Sequence, residues 1–246
     1  MRLALFDVDG TLLSASGAGR RALGQALLDV YGTAGPIDTY DFHGGTDPQI
    51  IRDLLTAAGL GPMEIAAREA RLFARYVECL EVEVGDGSRV TLHAGVAALV
   101  EALAARTGCV VGLLTGNIEA GARIKLRPTG LLPRFRLGAY GSDEADRTRL
   151  PAVAARRAEA LFGRAFRGRD LVIIGDTPRD VACARAFGAA CVAVATGRHD
   201  VQHLAACAPD FVFPDLTDTG QVMAAILDSA PARHLPLPSP RGESEP

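Results

Sequence analysis

The sequence predicts an α/β fold, a Rossmann-like parallel sheet with an all-helical segment inserted after the first strand. Short apolar runs alternate with longer stretches of helical period, which is the signature of βαβ units. The runs are apolar at every position rather than at alternate ones, which is typical of strands buried on both faces. A chain of 246 residues has room for such a core and a smaller insert, because single cores stop growing at roughly 250 residues.

Five apolar runs are predicted as core strands, with four core helices among them. The strands are predicted at residues 3–6, 110–114, 171–174, 191–195 and 211–213. The helices are predicted at residues 96–106, 119–126, 150–162 and 181–187. The last helix should end at Gly188, because glycine is favoured just past a helix C-terminus.

The alternation of strand and helix patterns is interrupted between the first two predicted core strands. Three helical patterns follow one another there without a strand. The first is predicted at residues 20–31 and the third at residues 63–80. The second is predicted to start with Asp47 as its N-cap and Pro48 at its first helical position, and to stop before Gly59. We therefore predict a core at residues 1–14 and 86–230 and a helical insert at residues 15–85. Residues 231–246 are rich in proline, serine and charge, and are predicted to be disordered.

Composition and charge argue against several classes of partner. The chain has 26 Lys+Arg and 29 Asp+Glu, a formal net charge of -3, which leaves no basic surplus for a nucleic-acid backbone. No apolar run approaches the roughly 20 residues that span a bilayer, and no signal-peptide core follows Arg2. We expect a cytoplasmic protein with no nucleic-acid or membrane partner and with reduced cysteines. The sequence makes no prediction of oligomeric state.

The strongest chemical signal follows the first predicted strand, where the chain reads Asp7-Val8-Asp9-Gly10-Thr11. Two carboxylates two residues apart at a strand end point to the same side, where they can share a divalent cation while one faces a substrate. Gly10 permits the tight turn that follows, and its backbone N–H can approach an anion closely. The alternative interpretation is a polar turn after a strand.

Polar residues also follow two other predicted strands. Asp176 ends one of them, with Asp180 four residues later on the same side, and Thr115-Gly116-Asn117 ends another. A hydroxyl and N–H groups at a strand-to-helix turn form an anion cradle. Taken alone, these segments are also explained as an N-capping Asp and a routine turn. Clustered carboxylates, however, would repel one another unless a hard cation neutralised them, and oxygen ligands point to Mg²⁺.

These three segments resemble the motifs of the haloacid dehalogenase superfamily of phosphohydrolases, and the resemblance covers nearly the whole chain. DVDGT is similar to the first motif of that superfamily, Thr115 stands where its second motif does, and GDTPRD is similar to its fourth. The insert resembles the small helical cap domain of the superfamily in position and content. The stretches HGGTDPQI, LLTGN and GDTPRD look most like the phosphoglycolate phosphatase-like branch.

The resemblance implies a two-step phosphoryl transfer. Asp7 would be the nucleophile that forms an aspartyl-phosphate, and Asp9 would be the general acid and base. Mg²⁺ would be held by Asp7, the Asp9 main-chain carbonyl and Asp176, with Asp180 supporting them. The phosphate-binding residues implied are Gly10, Thr115, Gly116, Asn117 and Lys125.

The cation of the third motif departs from the family pattern. In the superfamily a lysine precedes the fourth motif, but residues 141–151 contain no lysine. Lys125 is the only lysine in the chain and is the natural candidate, although it can also be a solvent-facing residue of its helix. Arg147 or Arg149 could supply the cation instead, but a guanidinium is not an equivalent point charge.

A glycine-containing segment before the second helix of the insert resembles the cap loop that lowers onto the substrate in this superfamily. Gly45 would allow close approach, and Thr46 or His43 would contact the leaving group. The alternative is a loop and N-cap of the kind that a helix with Pro48 in its first turn requires.

The first functional hypothesis is a Mg²⁺-dependent, phosphoglycolate phosphatase-like enzyme that acts on a small phosphorylated metabolite, because a helical cap would exclude large substrates. A phosphomutase of the same superfamily is the second hypothesis, and it predicts a requirement for a bisphosphate. A catalytically silent binding member is the third. The intact Asp7, Asp9, Thr115 and Asp176 count against that last hypothesis.

Overall fold

The computed structural model describes residues 1–228, and its core is a six-stranded parallel sheet. The strands in chain order are β1 (Arg2–Phe6), β2 (Leu13–Ser14), β3 (Thr91–Leu92), β4 (Cys109–Thr115), β5 (Gly138–Tyr140), β6 (Leu171–Gly175), β7 (Ala190–Val194) and β8 (Phe211–Phe213). The spatial order of the large sheet is β5-β4-β1-β6-β7-β8, and the short strands β2 and β3 form a separate antiparallel pair. The predicted α/β class with a parallel sheet is confirmed.

The helices cover both faces of this sheet. In chain order they are α1 (Ala18–Tyr31), α2 (Asp47–Ala57), α3 (Pro62–Val84), α4 (Val96–Ala104), α5 (Glu119–Leu126), α6 (Leu150–Phe162), α7 (Pro178–Phe187), α8 (Val201–Ala206) and α9 (Thr219–Asp228). Alternate residues of β1 enter different cores, because successive side chains of a strand point to opposite faces. Ala4 and Phe6 belong to one apolar cluster and Leu3 and Leu5 to the other. This two-sided burial explains why β1 is apolar at every position after Arg2.

The helices α1, α2 and α3 follow one another between β2 and β3. Leu13 pairs with Leu92, and Ser14 pairs with Thr91, so the two chain segments that join the insert to the core run side by side. Side chains of the insert such as Leu72 share one apolar cluster with residues of the core sheet. The division of the chain at residues 15–85 stays a prediction, and the predicted disordered tail lies outside the described residues.

The structure differs from the predicted elements in several places. The strands β2, β3 and β5 and the helices α8 and α9 were not predicted. Each of these strands has only two or three residues, and runs this short show little periodicity. The predicted N-cap of α2 at Asp47 is wrong: Thr46 is the N-cap, and its hydroxyl accepts a hydrogen bond from the Gln49 N–H at 3.3 Å. The Asp47 carboxylate does not cap α2 and instead contacts the core, as described below. No helix within residues 1–228 is both long and apolar enough to span a membrane.

Candidate active site

The carboxyl ends of three neighbouring strands bring the predicted site residues to one edge of the sheet. Phe6 of β1 is in register with Leu113 of β4 on one side and with Ile174 of β6 on the other. The polar residues that end or follow these strands therefore lie side by side. They line a cavity of about 530 Å³ together with residues of the insert. That volume is in the usual range for a small-molecule site.

A cluster of three buried carboxylates lies at the floor of this cavity, where Asp7 and Asp176 line it and Asp180 lies next to them. Asp7, Asp176 and Asp180 each offer an oxygen, and these oxygens lie within 4.8 Å of one another. Burial raises the pKa of Asp176 well above its usual range, and the neighbouring Asp180 and Asp7 charges raise it further. Burial also raises the pKa of Asp7 to about 6, although Arg147 opposes the shift. Buried oxygens of like charge at this spacing suit a hard divalent cation.

Two glycines make room for the Asp176 carboxylate. Gly10 has a positive φ of 82°, and a Cβ built at Gly10 or at Gly197 would collide with the carboxylate. The Thr11 hydroxyl donates to Asp176 Oδ1 at 2.8 Å and orients it. The Gly10 N–H, which we predicted as an anion donor, donates to the Leu13 carbonyl at 2.9 Å. The structure thus uses the Gly10 N–H to close the turn after β1, and this corrects the prediction.

Asp180 is held from both sides. Its Oδ2 accepts hydrogen bonds from the Thr177 N–H at 3.1 Å and the Thr177 hydroxyl at 2.8 Å, and the first of these bonds belongs to a capping box at the start of α7. Its Oδ1 accepts a hydrogen bond of 2.5 Å from Arg147 Nη2. With both oxygens occupied, Asp180 is placed to support the cluster from behind.

Arg147 is the cation closest to the predicted nucleophile. Its Nη2 lies 3.1 Å from Asp7 Oδ2, and the side chain is only 7% exposed. Burial alone would lower the pKa of Arg147, but the charges of Asp180 and Asp7 raise it above its ordinary value. Arg147 Nη1 also donates to the Gly44 carbonyl of the insert at 3.3 Å. Arg149, the other arginine considered, is 69% exposed and 3.8 Å from Asp146, so it lies away from the cluster.

Lys125 is buried and points at Asp9. Its Nζ donates to Asp9 Oδ2 and to Asn117 Oδ1, each at 2.6 Å, while its side chain is 5% exposed. Gly19 of α1 leaves space for this ammonium group, because a Cβ there would lie 3.2 Å from Lys125 Nζ. The solvent-facing alternative for Lys125 is therefore wrong. The structure brings both candidate cations, Lys125 and Arg147, into the site.

Asn117 and Thr115 complete a hydrogen-bonded layer around Asp9. Asn117 Nδ2 donates to Asp9 Oδ2 and to Thr115 Oγ1, each at 2.8 Å. The Asn117 N–H also donates to Thr115 Oγ1 at 3.3 Å. Because the Thr115 oxygen accepts from two donors, its own proton is directed elsewhere. Asp9 itself is 44% exposed, so it is fixed at one oxygen while it faces the cavity.

The loop before α2 packs on the core and not only on the insert. Gly45 lines the cavity, and its close approach to a substrate stays a prediction. The Thr46 hydroxyl, predicted to contact the leaving group, donates to the Ala145 carbonyl at 2.6 Å and is buried. This corrects the prediction for Thr46: its hydroxyl joins the insert to the core, because the helix start that it caps lies directly on core loops.

Asp47 makes a second connection between the insert and the core. Its N–H donates to the Gly116 carbonyl at 2.8 Å, and its Oδ2 accepts from the Ile118 N–H at 2.8 Å, at the start of α5. Burial raises the pKa of Asp47 to about 6, while the Lys125 charge and the Ile118 N–H lower it. Asp47 is therefore bonded both to the residue that follows Thr115 and to the start of the helix that carries Lys125.

Comparisons with known proteins identify the family of the chain. Residues 150–219 match the HAD-hydrolase-like family model. The chain is 28% identical over 229 residues to a phosphoglycolate phosphatase from Synechococcus elongatus, which covers 92% of this chain and 99% of that protein. It is 30% identical over 227 residues to a phosphoglycolate phosphatase from Rhodospirillum rubrum, with 89% of each chain covered. The chain belongs to the haloacid dehalogenase superfamily, in its phosphoglycolate phosphatase-like branch.

This haloacid dehalogenase superfamily member is a phosphatase. A solved hydrolase from Pseudomonas syringae superposes on it with a TM-score of 0.68 at 20% identity, covering 92% of this chain and 99% of that one. The likeness shows that the two proteins share a fold over almost their whole length.

Four further residues of this superfamily member line the cavity or contact the residues that do, and the sequence did not single them out. Thr11 was noted only as part of the first motif, and Asp47 only as a helix cap. Tyr76 of α3 is 1% exposed, lines the cavity and was considered only as a residue of the helix. Arg20 also lines the cavity and was predicted only as the start of α1. A helical sequence does not indicate which of its polar residues face a cavity.

Proposed function

We propose that this phosphatase hydrolyses a small phosphorylated metabolite in a Mg²⁺-dependent reaction that proceeds through an aspartyl-phosphate on Asp7. The observation that carries the proposal is the arrangement of two carboxylates at the end of β1. Asp7 lies on the buried floor beside Asp176, whereas Asp9 faces the open cavity. Phosphoglycolate is the first substrate to test, because the relatives in Synechococcus elongatus and Rhodospirillum rubrum are phosphoglycolate phosphatases.

The donor set at the cavity floor fits a Mg²⁺ ion. The Asp7 and Asp176 carboxylates and the Asp9 main-chain carbonyl would hold it, and Asp180 would keep the cluster in place. When bound, Mg²⁺ supplies positive charge that offsets the acid cluster and the charge of the transferred phosphoryl group. The remaining chemistry is carried by side chains of the chain itself.

In the first step Asp7 attacks phosphorus, and the bond between phosphorus and the leaving oxygen breaks. Asp9 donates a proton to that oxygen. Because Asp9 Oδ2 is held by Lys125 and Asn117, Oδ1 is the oxygen that carries the proton. In the second step Asp9 takes a proton from water, the water oxygen attacks phosphorus, and inorganic phosphate leaves as the Asp7 carboxylate is restored.

Phosphate recognition is assigned to Thr115, Gly116 and Asn117 together with the two cations. The proton of the Thr115 hydroxyl is available to a phosphate oxygen, because its oxygen already accepts from Asn117. Arg147 holds Asp7 in line, and Lys125 holds Asp9. We assign to these two residues jointly the role that a single third-motif lysine has in the superfamily. Residues 15–85 act as the cap that limits the site to small substrates.

Substitution of Lys125 and substitution of Arg147 should have different effects on the free energy of unfolding, although both should lower kcat. Lys125→Met should lower kcat by about 10²- to 10³-fold and should cost less stability than Arg147→Met, because Asp9, the charged partner of Lys125, is half exposed and can be hydrated. Arg147→Met should also lower the free energy of unfolding by about 3–5 kcal/mol, because it leaves Asp7 and Asp180 buried without their cation. Kinetics at saturating Mg²⁺ measure the effect on kcat, and urea unfolding without divalent metal measures the effect on stability.

The matched control for this pair is Arg149→Met, which removes an exposed arginine from the same short segment. It should leave both kcat and the urea midpoint unchanged. Full activity of Lys125→Met, or a loss of activity in Arg149→Met, would contradict the assignment.

A panel of phosphate monoesters tests the proposed function itself. The purified protein with Mg²⁺ is expected to release inorganic phosphate from 2-phosphoglycolate or from another small monoester in the panel, without any added bisphosphate. A requirement for a sugar bisphosphate, with isomerised product, would instead indicate a phosphomutase. No turnover of any compound, together with no binding of Mg²⁺ in a titration, would overturn the proposal and favour a silent binding member.

A further inference from the structure

A cationic side chain of the insert faces the cavity without a carboxylate partner. Four Lys or Arg side chains line the cavity: Arg20, Lys125, Arg147 and Arg198. Lys125 pairs with Asp9, Arg147 with Asp7 and Asp180, and Arg198 with Asp41. Within residues 1–228, Arg20 of α1 is the member of this group that makes no ion pair, and its hydrogen bonds go to carbonyl oxygens. Its charge is therefore not balanced by the protein groups around it.

The Arg20 guanidinium is nevertheless held in a defined position. Its Nη1 donates to the Ile37 carbonyl, and its Nη2 donates to the Tyr40 carbonyl at 2.9 Å. Its central carbon lies 4.2 Å from the centre of the Phe42 ring, which also lines the cavity. These partners are neutral, so they orient the cation but leave its charge and its other N–H donors available.

Arg20 lines the cavity from α1 of the insert, whereas Asp7, Asp9 and Asp176 line it from the ends of core strands. Arg20 follows Gly19, whose Cβ position is 3.2 Å from Lys125 Nζ, and Lys125 is bonded to Asp9. In the proposed reaction Asp9 protonates the leaving oxygen. The acid cluster of Asp7, Asp176 and Asp180 lies on the floor, so the phosphoryl group and the rest of the substrate occupy different parts of the cavity.

We infer that Arg20, stacked on Phe42, is a subsite for an anionic group on the leaving-group side of the substrate. A fixed guanidinium offers paired N–H donors that match a carboxylate or a second phosphate. The inference rests on the proposed function and deepens it: the preferred substrates are small phosphate monoesters that carry a second negative charge a few atoms from the phosphorus.

A matched set of two-carbon phosphate esters tests this subsite. The four esters differ in the group at the far end of the two-carbon chain. That group is a carboxylate in 2-phosphoglycolate, a second phosphate in ethanediol bisphosphate, an uncharged methyl group in ethyl phosphate and a positively charged amine in phosphoethanolamine. The wild-type enzyme should prefer an anionic member over ethyl phosphate by at least about tenfold in kcat/KM, and the better anion identifies the group. Arg20→Met should lower kcat/KM for that anion by about 10- to 100-fold, mainly through KM.

The same variant should change kcat/KM for ethyl phosphate by less than about threefold. Arg20→Lys keeps the charge but not the fork of donors, and should retain part of the preference. The control Arg198→Met removes another cavity cation, one that pairs with Asp41 and is 61% exposed, and should leave the preference unchanged. Two results would contradict the subsite: equal kcat/KM of the wild-type enzyme for all four esters, or an equal loss of kcat/KM on all four in both Arg20 variants. Either would show that Arg20 only holds the loop of residues 37–42 in place.

Binding to a variant that cannot turn over separates this inference from the proposed function. In Asp7→Asn, calorimetry should show that adding Arg20→Met weakens binding of the preferred anionic ester by about 10- to 100-fold, with ethyl phosphate little affected. Unchanged binding would overturn the subsite even if the enzyme is a phosphatase. The expected loss of binding would support it even if the reaction does not proceed through Asp7.

Discussion

Asp7→Asn is expected to lower kcat for phosphate release by on the order of 10⁴-fold or more, while the protein stays folded. The amide lacks the negative charge of the nucleophile, and the covalent step depends on that nucleophile. The substitution is nearly isosteric, and it removes one charge from a buried cluster in which burial already raises the pKa of Asp7 to about 6. Steady-state phosphate release and the thermal unfolding midpoint measure the two parts of this prediction.

The matched control is Asp29→Asn, which changes an aspartate of the insert that pairs with Arg75 on the surface. Its kcat should equal that of the wild-type enzyme. A phosphorylated protein that forms from substrate in the wild type but not in Asp7→Asn would locate the covalent intermediate. Hydrolysis by Asp7→Asn at more than about a hundredth of the wild-type rate would exclude Asp7 as the nucleophile.

Removal of divalent metal is expected to lower activity by at least about 10³-fold, and added Mg²⁺ should restore it. The reason is the acid cluster at the cavity floor, where Asp7, Asp176 and Asp180 repel one another. Mg²⁺ should also stabilise the folded protein, by about 2.7 kcal/mol at a concentration 100 times its Kd. For a chain of this size that corresponds to a rise in Tm of about 5–10 °C. Activity after chelation and scanning calorimetry measure the two effects.

Asp176→Asn distinguishes a bound metal from a general effect of salt. Without metal this variant should be at least as stable as the wild type, because one repelling charge is gone while the oxygen that accepts from Thr11 remains. With Mg²⁺ it should show neither the rise in Tm nor the restored activity. If chelated wild-type enzyme stays active, or if Asp176→Asn responds to Mg²⁺ as the wild type does, the metal assignment is wrong.

The predicted parts of the fold were those in which one short stretch of sequence carries the whole signal. The strand β6 is buried at all five positions, and its sequence is apolar at each of them except for a terminal glycine. The helices α5 and α6 begin and end where their periodicity predicts. By contrast, β5 has only three residues and contains a glycine, so its membership of the sheet depends on its pairing with β4.

The cations illustrate the limit of prediction at the site. The sequence offered Lys125, Arg147 and Arg149 as alternatives for one role. The structure buries the first two against different carboxylates and leaves Arg149 exposed. Arg147 and Arg149 are only two residues apart, so their spacing along the chain does not distinguish them. The direction of the short helical turn that they share decides which one reaches Asp7.

The sequence by itself determined the class of fold and the acidic strand ends, because strand burial and strand-end position are local properties of the chain. Asp7, Asp9 and Asp176 could be chosen from the sequence for that reason. Only the tertiary structure decided the contacts made across the fold, such as Lys125 on Asp9, Asp47 on Ile118 and Arg20 over Phe42. The first two contacts join residues more than 70 positions apart, and Arg20 meets Phe42 only through the fold of the insert, so tertiary packing selects all three.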